Sequence, residues 1–270
     1  MKIILGTSIG EIYNFDTNTK QISFLYSTNT NNESINGLSL YNNELYVVSN
    51  YTIHKFDKNL KIVNKLFLDY NTISLRDVTI SKDIILVCSS KGNKIISIDK
   101  KYNNIVLVKD FGYFIKGDND SLIYINDISK YKDNIYLNVG SLSNRTNSEC
   151  GIIKLDFDLN EIERINVGYN SSRVEIYNDD IYSLCNTDTI NNLKPALLLN
   201  NTIIINFSND YTLYDFCIND SYICICGYLR NFKYDCIHSG FLSLFDNKYN
   251  LLFTSLIKNI GAITSCIFYE

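Results

Sequence analysis

The chain has 270 residues, 46% of them apolar, which is enough to bury a sizeable core in one large domain or two small ones. Its formal charge of −4 and isoelectric point near 5.3, with basic residues scattered rather than clustered, argue against nucleic acid or an anionic membrane surface as the main partner. No apolar run approaches the roughly 18 to 20 residues that a bilayer span requires, and no helical amphipathic period is sustained, so almost no helix is expected.

The start, Met1-Lys2-Ile3-Ile4-Leu5, resembles a secretory leader, but Gly6-Thr7-Ser8 interrupts it before an apolar region is complete, and a cytoplasmic chain is expected. The stretch Ile35 to Val47 then recurs without a gap as Leu75 to Val87, Ile125 to Leu137, Ser171 to Ser183 and Leu213 to Ile225; Ile263 to Glu270 begins a sixth copy. The fourth residues of the copies, Leu38, Val78, Ile128, Val174, Phe216 and Cys266, are spaced by 40, 50, 46, 42 and 50. Joining the termini closes the series with an interval of 42, in line with the others.

Within each copy, apolar and β-branched residues favour strands. Asn42-Asn43, Asp133-Asn134 and Asn178-Asp179-Asp180 suit hairpins, because Asn and Asp tolerate positive φ. An apolar residue followed by Asp recurs at Phe15-Asp16, Phe56-Asp57, Ile98-Asp99, Leu155-Asp156 and Phe245-Asp246, and reads as an Asx turn between third and fourth strands. The unit containing Pro195 lacks this pair and turns instead at Asn200-Asn201. Strand-rich repeats of this length cannot bury their faces alone but can against neighbours, so the expected fold is an all-β, six-bladed β-propeller of four-stranded blades spanning residues 1–270 as one domain. The C-terminal strand would complete a blade with the N-terminal strands and remove an exposed edge.

In such a ring the inner strands line a central channel, and the residues at their starts circle its mouth. These are Asn36-Gly37, Arg76-Asp77, Asn126-Asp127, Ser172-Arg173, Tyr214-Asp215 and Thr264-Ser265. Asp77, Asp127 and Asp215, with Asn36 and Asn126, are oxygen donors of the kind that hold a hard divalent cation such as Ca, Mg or Mn, and Arg76 and Arg173 suit an anionic ligand. The structural alternative is that Asp and Arg side chains pair with one another around a wet channel. Arg173 and Tyr214 depart most from their counterparts in the other copies.

Loops on the mouth face are short near Asn50 and Ser90 but long at Gly140 to Cys150, Asn186 to Lys194 and Gly227 to Ser239. The last brings Arg230, Tyr234, Cys236 and His238 together, a composition suited to a protein or small-ligand contact. Cys88, Cys185, Cys217, Cys224, Cys226 and Cys266 fall in expected strands and read as reduced apolar packers; Cys224 and Cys226, two apart, share a face. The paired short spacings of a zinc site are absent around Cys236-Ile237-His238, and His54 lies mid-strand, where a structural role is expected.

The inner strand, Asn/Asp hairpin and apolar-Asp turn resemble six-bladed propellers of the broad group that includes NHL-type, PQQ-repeat-like and gluconolactonase-type proteins. Ile125-Asn126-Asp127-Ile128 and Ser171-Ser172-Arg173-Val174 are similar to segments of uncharacterised bacterial propellers that carry His-Asp and Ser-Pro-Arg there; this chain has Asn126 and Ser172 instead. Likeness to the gluconolactonase group implies a divalent metal at the channel mouth, with Asn126 and Asp215 the matching positions and no Glu in the ring. The chain has no Trp, so the WD40 signature is missing. The expected function is a binding module for a small molecule or protein, with contacts from Arg76, Asp77, Asp127, Arg173, Tyr214, Asp215, Arg230 and Tyr234. The alternative is a metal-dependent hydrolase or lactonase using Asn126, Asp127 and Asp215 to hold a metal whose bound water attacks the substrate.

Overall fold

The structure, a computed structural model, describes residues 1–270 except 29–32, 69–73, 92, 102, 112–122, 142–150, 167–170, 187–193, 230–238 and 270. It consists of six four-stranded antiparallel sheets arranged as propeller blades, with no helix among the described residues and hence none long and apolar enough to cross a membrane. The N-terminal strands are β1 (Lys2–Thr7), β2 (Glu11–Asp16) and β3 (Gln21–Ser27). Blade 1 follows with β4 (Ile35–Tyr41), β5 (Glu44–Ser49), β6 (Thr52–Phe56) and β7 (Ile62–Phe67), and blade 2 with β8 (Leu75–Ser81), β9 (Ile84–Ser89), β10 (Lys94–Asp99) and β11 (Ile105–Asp110). Blade 3 comprises β12 (Ile123–Tyr131), β13 (Asn134–Ser141), β14 (Gly151–Leu155) and β15 (Glu161–Asn166), and blade 4 comprises β16 (Ser171–Tyr177), β17 (Asp180–Cys185), β18 (Ala196–Leu199) and β19 (Thr202–Asn206). Blade 5 is β20 (Tyr211–Ile218), β21 (Tyr222–Leu229), β22 (Ser239–Asp246) and β23 (Leu251–Lys258). The last strand, β24 (Ile263–Tyr269), is the inner strand of blade 6, whose order is β24-β1-β2-β3.

Ring closure is therefore a strand pairing: Lys2 lies opposite Tyr269, Ile4 opposite Ile267 and Gly6 opposite Ser265. Inner strands touch in the sequence β4, β8, β12, β16, β20, β24 and back to β4. Apolar clusters fill the spaces between blades. Tyr46, Val48 and Ile53 of blade 1 pack on Leu75, Val78 and Ile85 of blade 2, and Ile4 and Ile12 of blade 6 pack on Leu38, Leu45 and Val47 of blade 1. Each such side chain contributes about 1.5–3 kcal/mol when fully buried, so blades stabilise one another rather than standing alone.

The turns follow from side-chain chemistry. Asp16, Asp57, Asp99, Asp156 and Asp246 each accept backbone N–H bonds from residues just downstream; Asp57 Oδ1, for example, takes the N–H groups of Asn59 and Lys61, both at 2.9 Å. Asn200 and Asn201 have φ of 47° and 66°, serving blade 4 in place of that turn. In blade 3 the hairpin sits one residue earlier than Asp133-Asn134: Tyr131 pairs with Asn134, and Lys132 takes the positive φ. The register that opposes Ile128 to Leu137 carries Asn134 into β13.

Candidate functional site

Every inner strand carries a β-bulge at the second residue of its copy, where the register skips from Ile35 to Gly37, Leu75 to Asp77, Ile125 to Asp127, Ser171 to Arg173, Leu213 to Asp215 and, in β24, past Thr264. A bulge leaves one residue unpaired and re-aims its side chain. It separates the mouth into two layers that the sequence presents as one ring. The third residues turn inward and the second residues reach toward the loops of the mouth face.

The inward layer centres on Arg173. Its Nη1 lies 3.1 Å from Asp77 Oδ2 and 3.0 Å from Asp127 Oδ1, and its Nε lies 2.6 Å from Asp215 Oδ1. One guanidinium from blade 4 thus holds carboxylates from blades 2, 3 and 5. The side chains are 13% exposed for Arg173 and 4%, 1% and 1% for the three acids, so water does little to screen them. The carboxylates also bind the next blade: Asp127 Oδ2 accepts from Val174 N at 2.6 Å and Asp215 Oδ2 from Cys266 N at 2.9 Å, while Asp77, whose Oδ1 accepts from Arg173 Nη2 at 3.2 Å, shares its Oδ2 between Arg173 and Ile128 N at 3.4 Å. Asp215 Oδ1 also accepts from Phe216 N. Each Asp therefore links its own blade to the following one.

In blade 1 the equivalent residue is Gly37, and a Cβ there would stand 2.1 Å from Asp77 Oδ1. Glycine makes room there for the Asp77 side chain.

Three acids against one base leave an excess of negative charge. Burial drives the Asp77 carboxyl well above the usual carboxylate range, against the pull of Arg173 and with the help of the adjoining Asp127 and Asp215. Burial likewise raises Asp215, again opposed by Arg173. For Arg173, burial opposes the charge, but Asp127, Asp215 and Asp77 outweigh it and the guanidinium stays protonated.

Beneath this cluster a cavity of about 340 Å³ extends toward the opposite face, lined in part by Ser39, Thr79, Ser129 and Glu175. Glu175 is a residue the sequence reading missed. Burial, then Asp215, lifts its carboxyl well above the ordinary range, while Arg173 pulls the other way. Its signal is positional: two residues after Arg173 on the same strand, it carries a charge where Ser39, Thr79, Ser129, Cys217 and Ile267 stand in the other copies.

The outward layer is different. Asn36 donates to Asn50 Oδ1 and to the Leu75 carbonyl, Ser172 to the Leu184 carbonyl, and Thr264 to the Gly6 and Ile35 carbonyls. Arg76 is exposed, its Nε 2.9 Å from Ser90 Oγ, and Tyr214 is 40% exposed with its ring centroid 5.7 Å from that of Tyr228. Arg76 on blade 2 and Tyr214 on blade 5 are three blades apart, on opposite sides of the mouth. Asn126, half-buried in β12, occupies the same layer. Arg230 and Tyr234, with Cys236 and His238, lie outside the described residues. The structure thus brings Asp77, Asp127, Arg173 and Asp215 together and sets Arg76 and Tyr214 apart from them. His54 is buried in β6, with Tyr26 Oη and Ser49 Oγ each 3.5 Å from its ring nitrogens.

No family model matches the chain, and no curated protein matches it in sequence. Among solved structures, a protein of unknown function from Bacteroides caccae superposes with a TM-score of 0.70 at 11% identity, covering 98% of this chain and 97% of that one. A chain of a nidogen/laminin complex superposes at 0.64 with 10% identity over 98% and 97% of the two chains. The hydrazine synthase of Kuenenia stuttgartiensis gives 0.56 at 11% identity, over 88% of this chain and 71% of that one. At such identities the likeness is one of fold, and the chain is a six-bladed β-propeller.

Proposed function

We propose that the chain is a binding module that recognises a small molecule or protein partner across the mouth face, and that its inward charges serve the ring. The observation that supports this reading is the division of the mouth by the bulges. Asp77, Asp127 and Asp215 bind Arg173 and the N–H groups of neighbouring blades, whereas Tyr214 and Arg76 stand in the outward layer. A half-exposed tyrosine packed against Tyr228 offers a large contact area at small entropic cost, and an exposed guanidinium across the mouth adds directional hydrogen bonding. Rigid scaffolds commonly present recognition groups in this way.

The alternative of a metal-dependent hydrolase asks Asp127 and Asp215 to release Arg173 and to compete with three backbone donors before they can ligate a cation. The test is capture on the immobilised chain from native lysate, proteins identified by mass spectrometry and small molecules after release. A ligand retained by the wild type and lost in a folded Tyr214→Ala/Arg76→Ala double variant supports the reading; Arg230→Ala and Tyr234→Ala probe the adjoining loop. Equal retention by the double variant removes the mouth face from the account, and metal-dependent lactone hydrolysis lost in Asp127→Ala and Asp215→Ala turns it to the alternative.

A further inference from the structure

Four of the described cysteines meet at one place, the interface between blades 5 and 6. Cys217 of β20 and Cys224 of β21 are directly opposed in the antiparallel ladder, Cys226 follows on the same face of β21, and Cys266 enters from β24. The Sγ atoms of Cys217, Cys224 and Cys266 all lie within 4.8 Å of one another. Cys266 Sγ is also 3.9 Å from the Cys224 carbonyl oxygen. All four residues are buried, packed among Ile3, Leu5, Leu242 and Leu244, and all four are free thiols. The position of Cys266 is filled in the other copies by Leu38, Val78, Ile128, Val174 and Phe216, so apolar packing alone is met there by branched or aromatic side chains.

From this geometry we infer that Cys217, Cys224 and Cys266, with Cys226 as fourth donor, form a binding site for one thiophilic d10 cation, Zn²⁺ or Cu⁺. Tetrahedral zinc with Zn–S bonds of about 2.3 Å places its sulfurs about 3.8 Å apart. The three thiols already lie within 4.8 Å of one another, and thiolate is the ligand class that selects both ions. Each thiol that ligates gives up its proton, so occupancy releases protons and rises with pH.

A site this buried, with ligands from both sides of the interface that includes the closing strand, fills as the ring forms. It would pin β24, from Ile263 to Tyr269, to blade 5. The site is separate from the mouth-face reading and stands or falls without it.

The test uses the full chain refolded from denaturant under anaerobic reducing conditions, with Zn²⁺, with Cu⁺, or with a chelator, then read by native mass spectrometry and elemental analysis. The expected result is one ion per chain that resists a chelator while the protein is folded and is released on unfolding. Co²⁺ in its place should show thiolate charge-transfer absorption, with intense visible bands of tetrahedral geometry that weaken in Cys226→Ala. Cys224→Ala and Cys266→Ala lose the ion, and Cys88→Ala, remote from the cluster, keeps it. A wild-type chain with native circular dichroism that takes up neither Zn²⁺ nor Cu⁺ overturns the inference without recourse to any variant. So does a Cys217–Cys224 disulfide in protein prepared without oxidant.

Discussion

Replacing Arg173 by Met keeps most of the side-chain volume and removes the charge that three buried carboxylates share. Removing one partner of a buried ion pair typically costs about 3–5 kcal/mol, because the other partner is left uncompensated. A carboxylate escapes that penalty by taking up a proton, which at pH 7 costs about 4 kcal/mol for an ordinary carboxyl near pKa 4. The two limits agree, so Arg173→Met is expected to lose about 3–5 kcal/mol at pH 7. With a urea m-value of about 3 kcal/mol/M for a chain of this size, the midpoint falls by about 1–2 M. Far-UV circular dichroism and tyrosine fluorescence both follow the transition, since the chain has 21 Tyr and no Trp.

The pH dependence sharpens the test. Asp77 and Asp215 have folded pKa values raised above the unfolded ones, so the native state binds more protons and their contribution to stability is lost as pH rises through the folded value. Without Arg173, which pulls both values down, that loss grows and extends to higher pH. Each extra proton the folded variant retains returns about 1.4 kcal/mol per pH unit on acidification. The gap between variant and wild type should therefore narrow from pH 7 to pH 5. A midpoint at pH 7 indistinguishable from wild type, or a gap that widens at pH 5, would refute the reasoning.

Further outcomes follow from the same geometry. Asp77→Asn should destabilise less than Asp127→Asn in urea titrations, because Asp77 holds its neighbour's N–H at 3.4 Å against 2.6 Å for Asp127. Gly37→Ala should cost about 1–3 kcal/mol by forcing Asp77 out of place, since the new Cβ would stand 2.1 Å from its Oδ1 and 2.7 Å from its Cα. His54, whose pKa burial, and to a lesser degree Lys65, lowers to about 4, should withdraw stability as pH falls from about 6.5 to 4, by about 3 kcal/mol in full. His54→Gln should flatten that part of the stability profile, and an unchanged slope would contradict the assignment.

The architecture was legible because it is written as repetition. Spacing, the Asp of five third-to-fourth strand turns and the truncated last copy together implied six blades and a shared closing blade, and the pairing of Lys2 with Tyr269 is that closure. The site was legible only in its residue types. Asp77, Asp127, Arg173 and Asp215 stand out as charges at equivalent positions, but which of them touch depends on distances around an axis, which intervals along the chain do not carry. The bulge that turns Tyr214 and Arg76 away from them has no compositional mark, since its second residue is Asn, Arg, Asn, Ser, Tyr or Thr. Cys266 lies 40 residues or more from Cys217, Cys224 and Cys226 and becomes their neighbour only when the ring closes.

The most direct test of the division between structural and recognition layers is a crystal structure of the chain soaked in Mn²⁺, with an anomalous difference map calculated around the channel mouth. The account predicts the Arg173 guanidinium bonded to Asp77, Asp127 and Asp215, with no manganese peak within bonding distance of those carboxylates. Manganese bound to Asp127 and Asp215, with Arg173 displaced, would contradict it.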